Sequence, residues 1–131
     1  MAYWLLKTEP DSYSFDDLER DGETRWDGVR NPTALRHLRS MRPGDGCVIY
    51  HTGEERQAVG LATVTTPPYA DPEAGDERLV VVDVRAQRRL PRPVPLTALK
   101  ADPRFADSPL LRMGRLSVVP LTEEQFRAIA G

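Results

Sequence analysis

The sequence predicts an α+β fold, a small mixed β-barrel with short helices packed around it. Three observations carry that expectation. The twelve prolines fall almost entirely at breaks between short apolar segments, so the elements are many and small. Those segments alternate between β-branched or aromatic runs and stretches that open with helix-capping residues. The 131 residues, 40% hydrophobic and 29% charged, fit one globular domain spanning residues 1–131 that needs no disulfide or metal to hold it.

Tyr3 to Thr8 reads as the first strand. Ser14 is an N-cap with Asp17 three residues on, which makes Phe15 to Arg20 a short helix. Gly22 to Arg30 is expected as a loop carrying Trp26. Asn31 caps a second helix with Pro32 at its first position, where a missing N–H costs nothing. Leu35, Leu38 and Met41 give it an apolar stripe. Arg42 to Asp45 is a turn. Cys47 to Thr52 and Ala58 to Thr65 form a hairpin around Gly53 to Arg56. Arg78 to Arg89 contains Leu79 to Val82, too continuously apolar for a half-exposed strand, so it belongs inside the sheet. Leu96 to Ala101 is one or two helical turns, and Arg115 to Val119 the last strand. Thr122 and Gln125 form a capping box for a terminal helix that packs Phe126 and Ile129.

Composition narrows the function. A single cysteine, Cys47, excludes a disulfide framework and a cysteine-based zinc site within one chain, and fits a cytoplasmic location. No apolar run is long enough to span a membrane. The net charge of −2 argues against a protein that grips nucleic acid by bulk positive charge, while leaving room for a local basic rim. Two arginine groups stand out, Arg30, Arg36, Arg39 and Arg42, then Arg85, Arg88, Arg89 and Arg92; each reads equally well as a solvated face or as a phosphate contact. Enzyme signatures are missing. There is no nucleophile elbow, P-loop, dinucleotide fingerprint or deaminase zinc motif, and His37 and His51 lack zinc-hydrolase spacing. No catalytic residue, metal or cofactor is expected.

Four segments carry the remaining signal: Trp4 to Pro10, Trp26-Asp27-Gly28-Val29-Arg30-Asn31, Gly44-Asp45 with Val48 to Thr52, and Arg115 to Pro120. In order and spacing they resemble the EVE domain of the PUA-like superfamily, in relatives of the thymocyte nuclear protein type. The resemblance runs from Tyr3 to about Ile129. It implies a small β-barrel with packed helices that binds modified bases, modified cytosine above all. The chain departs from the family pattern at Phe15, where a Trp is usual, at Thr52, where a Ser is usual, and at His37, near which a second Asn often stands.

Each candidate also has a plain structural reading. Trp26 either stacks a flipped base, worth roughly 1–3 kcal/mol, or plugs one end of the barrel; the resemblance favours the base. Asn31 caps its helix, and its amide could also pair with a base edge, as could backbone groups of Val29 and Arg30. Gly28 permits close approach or a positive φ. Tyr50 and His51 alternate on a strand, so only one of them can easily face a pocket. Ser117 is either a base-binding hydroxyl or a strand serine. Lys7 and Arg30 are solvated ends or phosphate contacts.

The expected function is thus a non-catalytic reader of DNA or RNA that holds one modified base. Trp26, Val29, Asn31, Tyr50, His51 and Ser117 would contact the base, and Lys7, Arg30, Arg36 and Arg39 the phosphates. No membrane partner is expected, and the sequence names no protein partner. The alternatives are an RNA-processing or protein-interaction accessory domain without a base pocket, and a small-molecule nucleoside binder without the basic rim.

Overall fold

A computed structural model describes residues 1–131. The chain begins with β1 (Tyr3–Thr8), α1 (Phe15–Asp21), β2 (Glu23–Trp26) and α2 (Pro32–Ser40). The hairpin strands β3 (Gly46–His51) and β4 (Gln57–Val64) follow, then the short β5 (Tyr69–Ala70) and the long β6 (Val80–Pro95). The chain ends with α3 (Leu96–Ala101), a 3-10 turn (Pro103–Phe105), α4 (Pro109–Arg112), β7 (Val118–Leu121) and α5 (Glu123–Ala130).

The caps act as read. In α1 and α5 the Ser14–Asp17 and Thr122–Gln125 boxes close reciprocally, satisfying backbone donors that a helix start leaves open. Asn31 Oδ1 accepts from the N–H groups of Thr33 and Ala34, and Pro32 opens α2. Three expectations shift, the first being that the strand expected within Arg78 to Arg89 runs on to Pro95, through Pro91 and Pro93. Glu23–Trp26 is a strand rather than a loop, because its residues pair with Arg85 to Val82 of β6. The last strand is Val118–Leu121, so Arg115 to Ser117 precede it.

The strands form one mixed sheet in the order β2-β6-β4-β3-β1-β7, with β5 added alongside β6. Only β1 and β3 run parallel; every other pairing is antiparallel. The expected small mixed barrel is not closed: β2 and β7 end the sheet and do not pair with each other. Val81 and Val82 point to opposite faces and are both buried, which explains their unbroken apolar run. Register shifts between Ile49 and Tyr50, Ala58 and Gly60, and Leu61 and Ala62 interrupt the ladders, as bulges do where a sheet bends.

Two contacts organise the core. Phe15, fully buried, lies against Gly60; a Cβ placed there would meet the ring at 2.4 Å, so position 60 has no room for a side chain. Asp45, 3% exposed, accepts three hydrogen bonds: from Ala2 N–H (3.1 Å), Trp4 Nε1–H (3.0 Å) and Arg42 N–H (3.0 Å). Its carboxylate thus ties the chain start to the turn before β3, and the hydrogen bonds offset the cost of burying it.

Candidate nucleic-acid interface

The main concavity lies beside the free edge of β2. Its volume is about 510 Å³, within the range of small-ligand sites. One wall comes from the end of β1, Lys7 and Thr8, with Ser117 just before β7. A second comes from Ser12 and Tyr13, ahead of α1. The third is β2 itself, Thr24 to Trp26, continued by Asp27, Gly28 and Val29. The site therefore draws on both ends of the open sheet.

Trp26 reaches the cavity from the last position of β2. It is 7% exposed, so it presents a limited part of its ring, and Tyr13 meets it edge to face (centroids 6.4 Å apart, planes at 83°). The pair forms the aromatic part of the wall. Gly28 turns the chain after it with φ of +78°, a backbone conformation that favours glycine, and the space around its Cα is open. Conformation, not crowding, is therefore what calls for glycine there. The turn lets Val29 fold back as a buried residue on the same wall.

Lys7 supplies the cavity with a cationic group that no acid pairs. Its Nζ donates to Gly114 O at 2.9 Å and lies 5.8 Å from the centroid of the Tyr50 ring. Burial lowers its pKa from the usual lysine value. Arg25 also lines the cavity, but its guanidinium is turned to acids, with Nη1 3.0 Å from Glu73 and 3.6 Å from Asp71. Asp27 is exposed and makes no ion pair.

Of the residues expected from sequence, Trp26, Val29, Ser117 and Lys7 meet at this cavity. Three others lie elsewhere. Asn31 is exposed, with its side-chain oxygen committed to the α2 cap. Tyr50 is buried, does not line the cavity, and has its ring near Lys7 Nζ. His51 is 6% exposed, and both ring nitrogens bond inside the fold: Nε2 accepts from Phe15 N–H (3.0 Å) and Nδ1 meets Glu55 Oε1 (2.9 Å). An acceptor at Nε2 places the ring proton on Nδ1.

The cationic rim is narrower than expected. Arg30 and Arg36 are exposed without ion pairs, outside the lining. Arg39 donates to Arg78 O (2.8 Å) and borders a different depression, near Pro67 and Pro68. In the second arginine group, Arg89 is bound to Asp16 and Glu19, and Arg88 donates to Ala130 O. Those two serve the surface of the fold. Tyr13, Thr24, Arg25 and Asp27 were missed in the sequence. The period-two spacing of Thr24 and Trp26 was the available signal, hidden by reading the segment as a loop.

Comparison with known proteins gives a consistent result. The family model described as "EVE domain" matches residues 2–131. Human thymocyte nuclear protein 1 is 31% identical over 159 aligned positions, covering 95% of this chain and 71% of the human protein. An NMR structure of a protein from Rhodopseudomonas palustris is 40% identical and superposes with a TM-score of 0.93, covering 99% of this chain and 91% of that one. The crystal structure of human THYN1 in complex with 5-methylcytosine containing DNA is 29% identical with a TM-score of 0.90, covering 99% of this chain and 96% of that one.

Proposed function

The chain belongs to the EVE domain family, and on that premise we propose that it is a non-catalytic nucleic-acid reader that takes one modified base, a modified cytosine first, into the cavity walled by Trp26. The observation that carries this reading is the likeness to human THYN1, bound to DNA containing 5-methylcytosine, over nearly the whole chain. The cavity's chemistry agrees with it. A base entering beside Trp26 and Tyr13 gains stacking of roughly 1–3 kcal/mol. Ser117 and Asp27 offer polar contacts at its edge. Lys7, whose Nζ meets only the carbonyl of Gly114 in the free protein, gains an anionic partner when a flanking phosphate approaches.

Duplex DNA must release the base first, at a cost of a few kcal/mol, whereas a single strand avoids that cost. A methyl group adds only about 0.8 kcal/mol of apolar burial, so preference for the modified base over its parent is about fourfold unless a polar group also reads the mark. The test is titration of wild type and Trp26→Ala with matched methylated and unmodified DNA and RNA strands. Wild-type binding that falls by one to two decades in the variant supports the reading. Binding unaffected by Trp26→Ala, in a variant that remains folded, overturns it.

A further inference from the structure

Beyond the aromatic wall, the open edge of the sheet supplies something no side chain does. In an antiparallel ladder, residue pairs alternate between those that exchange backbone hydrogen bonds and those that do not. Ala86 N–H donates to Gly22 O (2.9 Å), so two-residue alternation makes Thr24–Val84 and Trp26–Val82 the exchanging pairs of β2 and β6. Arg25 faces Asp83 across a non-exchanging pair. Asp83 confirms this from its own side: its N–H donates to Thr66 Oγ1 (3.0 Å) and its C=O accepts from Thr65 N–H (2.9 Å), both directed away from β2. The N–H and C=O of Arg25 therefore point off the free edge. Among the β2 residues lining the cavity, Arg25 alone has its peptide groups unclaimed by β6.

We propose that the backbone of Arg25 reads the hydrogen-bonding edge of the bound base, its N–H donating to the ring nitrogen and its C=O accepting from the exocyclic amine of a cytosine-type pyrimidine. This rests on the base-pocket reading above and adds to it the device that recognises the base. A donor and an acceptor from one extended residue lie side by side, as do N3 and the N4 amine of cytosine. The base would take the place of the strand that a closed sheet would have set beside β2. Because the contact is made by backbone, the Arg25 side chain, held by Glu73 and Asp71, is free to differ without loss of recognition.

The experiment combines amide hydrogen exchange by NMR on the wild-type protein with a pair of variants. In the free protein, the Thr24 and Trp26 amides are protected and the Arg25 amide exchanges fast. On binding a cytosine-containing strand the Arg25 amide becomes protected, and a strand carrying 3-deazacytosine, which lacks the ring acceptor, leaves it unprotected. Arg25→Pro removes only an N–H that the ladder does not use, a position where an edge strand tolerates proline. Arg25→Ala keeps that N–H. Arg25→Pro is expected to bind the cytosine strand about tenfold more weakly than Arg25→Ala, and the 3-deazacytosine strand equally. An Arg25 amide that stays fast-exchanging in a complex still sensitive to Trp26→Ala overturns this proposal alone. Absence of any oligonucleotide binding by wild type overturns the base-pocket reading and this one with it. The exchange measurement decides the matter even if Arg25→Pro fails to fold.

Discussion

The backbone N–H of Phe15 donates to Nε2 of His51 across 3.0 Å, joining the first residue of α1 to the last residue of β3. The bond settles an N–H that the helix start leaves without a partner and fixes the imidazole inside the fold. Removing the ring by His51→Ala strands that buried donor and is expected to cost about 1–3 kcal/mol in urea unfolding. Glu55 adds a pH signature. The His51 hydrogen bond is the main cause holding its carboxyl below the usual range. A lowered carboxylate contributes stability above its unfolded value and loses it as pH falls through the folded value. Wild type should therefore shed a small increment in acid that His51→Ala lacks. An unchanged acid slope in the variant would remove the Glu55 argument.

Of the glycine positions, Gly60 leaves the least room, with the Phe15 ring against it. Gly60→Ala forces a methyl into the Phe15 ring and is expected to cost about 1–3 kcal/mol. Phe15→Ala alone leaves a void and costs about 3–5 kcal/mol. Combined, the two should be far from additive, since the methyl then enters vacated space. Additive losses in the double-mutant cycle would show that the clash is relieved elsewhere.

Lys7 should trade stability against affinity. Its lowered pKa means the fold disfavours the charged form, and stability rises as pH climbs through the folded value. Lys7→Met is therefore expected to leave the free protein as stable as wild type, or more so, near neutral pH. It should weaken binding to all strands alike and reduce the salt slope by about one. A variant that binds with an unchanged salt slope places the lysine outside the phosphate path.

Asn31 separates capping from base contact. Asn31→Ala should cost about 1 kcal/mol through loss of the cap, whereas Asn31→Asp keeps an acceptor for Thr33 and Ala34 and should unfold at nearly the wild-type denaturant midpoint. Oligonucleotide affinity of Asn31→Ala should match wild type wherever the variant is folded. A tenfold loss of affinity there would return the side chain to the base site.

Legibility from sequence followed locality. Ser14, Asn31 and Thr122 were recognisable as caps because their partners lie two or three residues away. The strand Tyr3–Thr8 was recognisable from its apolar and aromatic run, the strand read as Cys47 to Thr52 lies one residue earlier at Gly46–His51, and the unbroken apolar run through Val81 and Val82 marked a segment that is buried on both faces. The four motif segments pointed to the family and to ten candidate contact residues, of which Trp26, Val29, Ser117 and Lys7 meet at the cavity and Asn31, Tyr50, His51, Arg30, Arg36 and Arg39 do not line it. Those conclusions need only spacing and residue type.

Tertiary structure alone decided the rest, because partners far apart in the chain set it. β2 is a strand because β6, some sixty residues later, offers it a ladder. His51 is structural because Phe15, 36 residues away, needs an acceptor. The sheet remains open because no strand bridges β2 and β7, and that opening leaves the Arg25 peptide without a ladder partner in a residue that lines the cavity walled by Tyr13 and Trp26. Hydrogen-bond parity on an edge strand depends on which residue pairs with which across the sheet, and a sequence carries no mark of that register until the chain has folded.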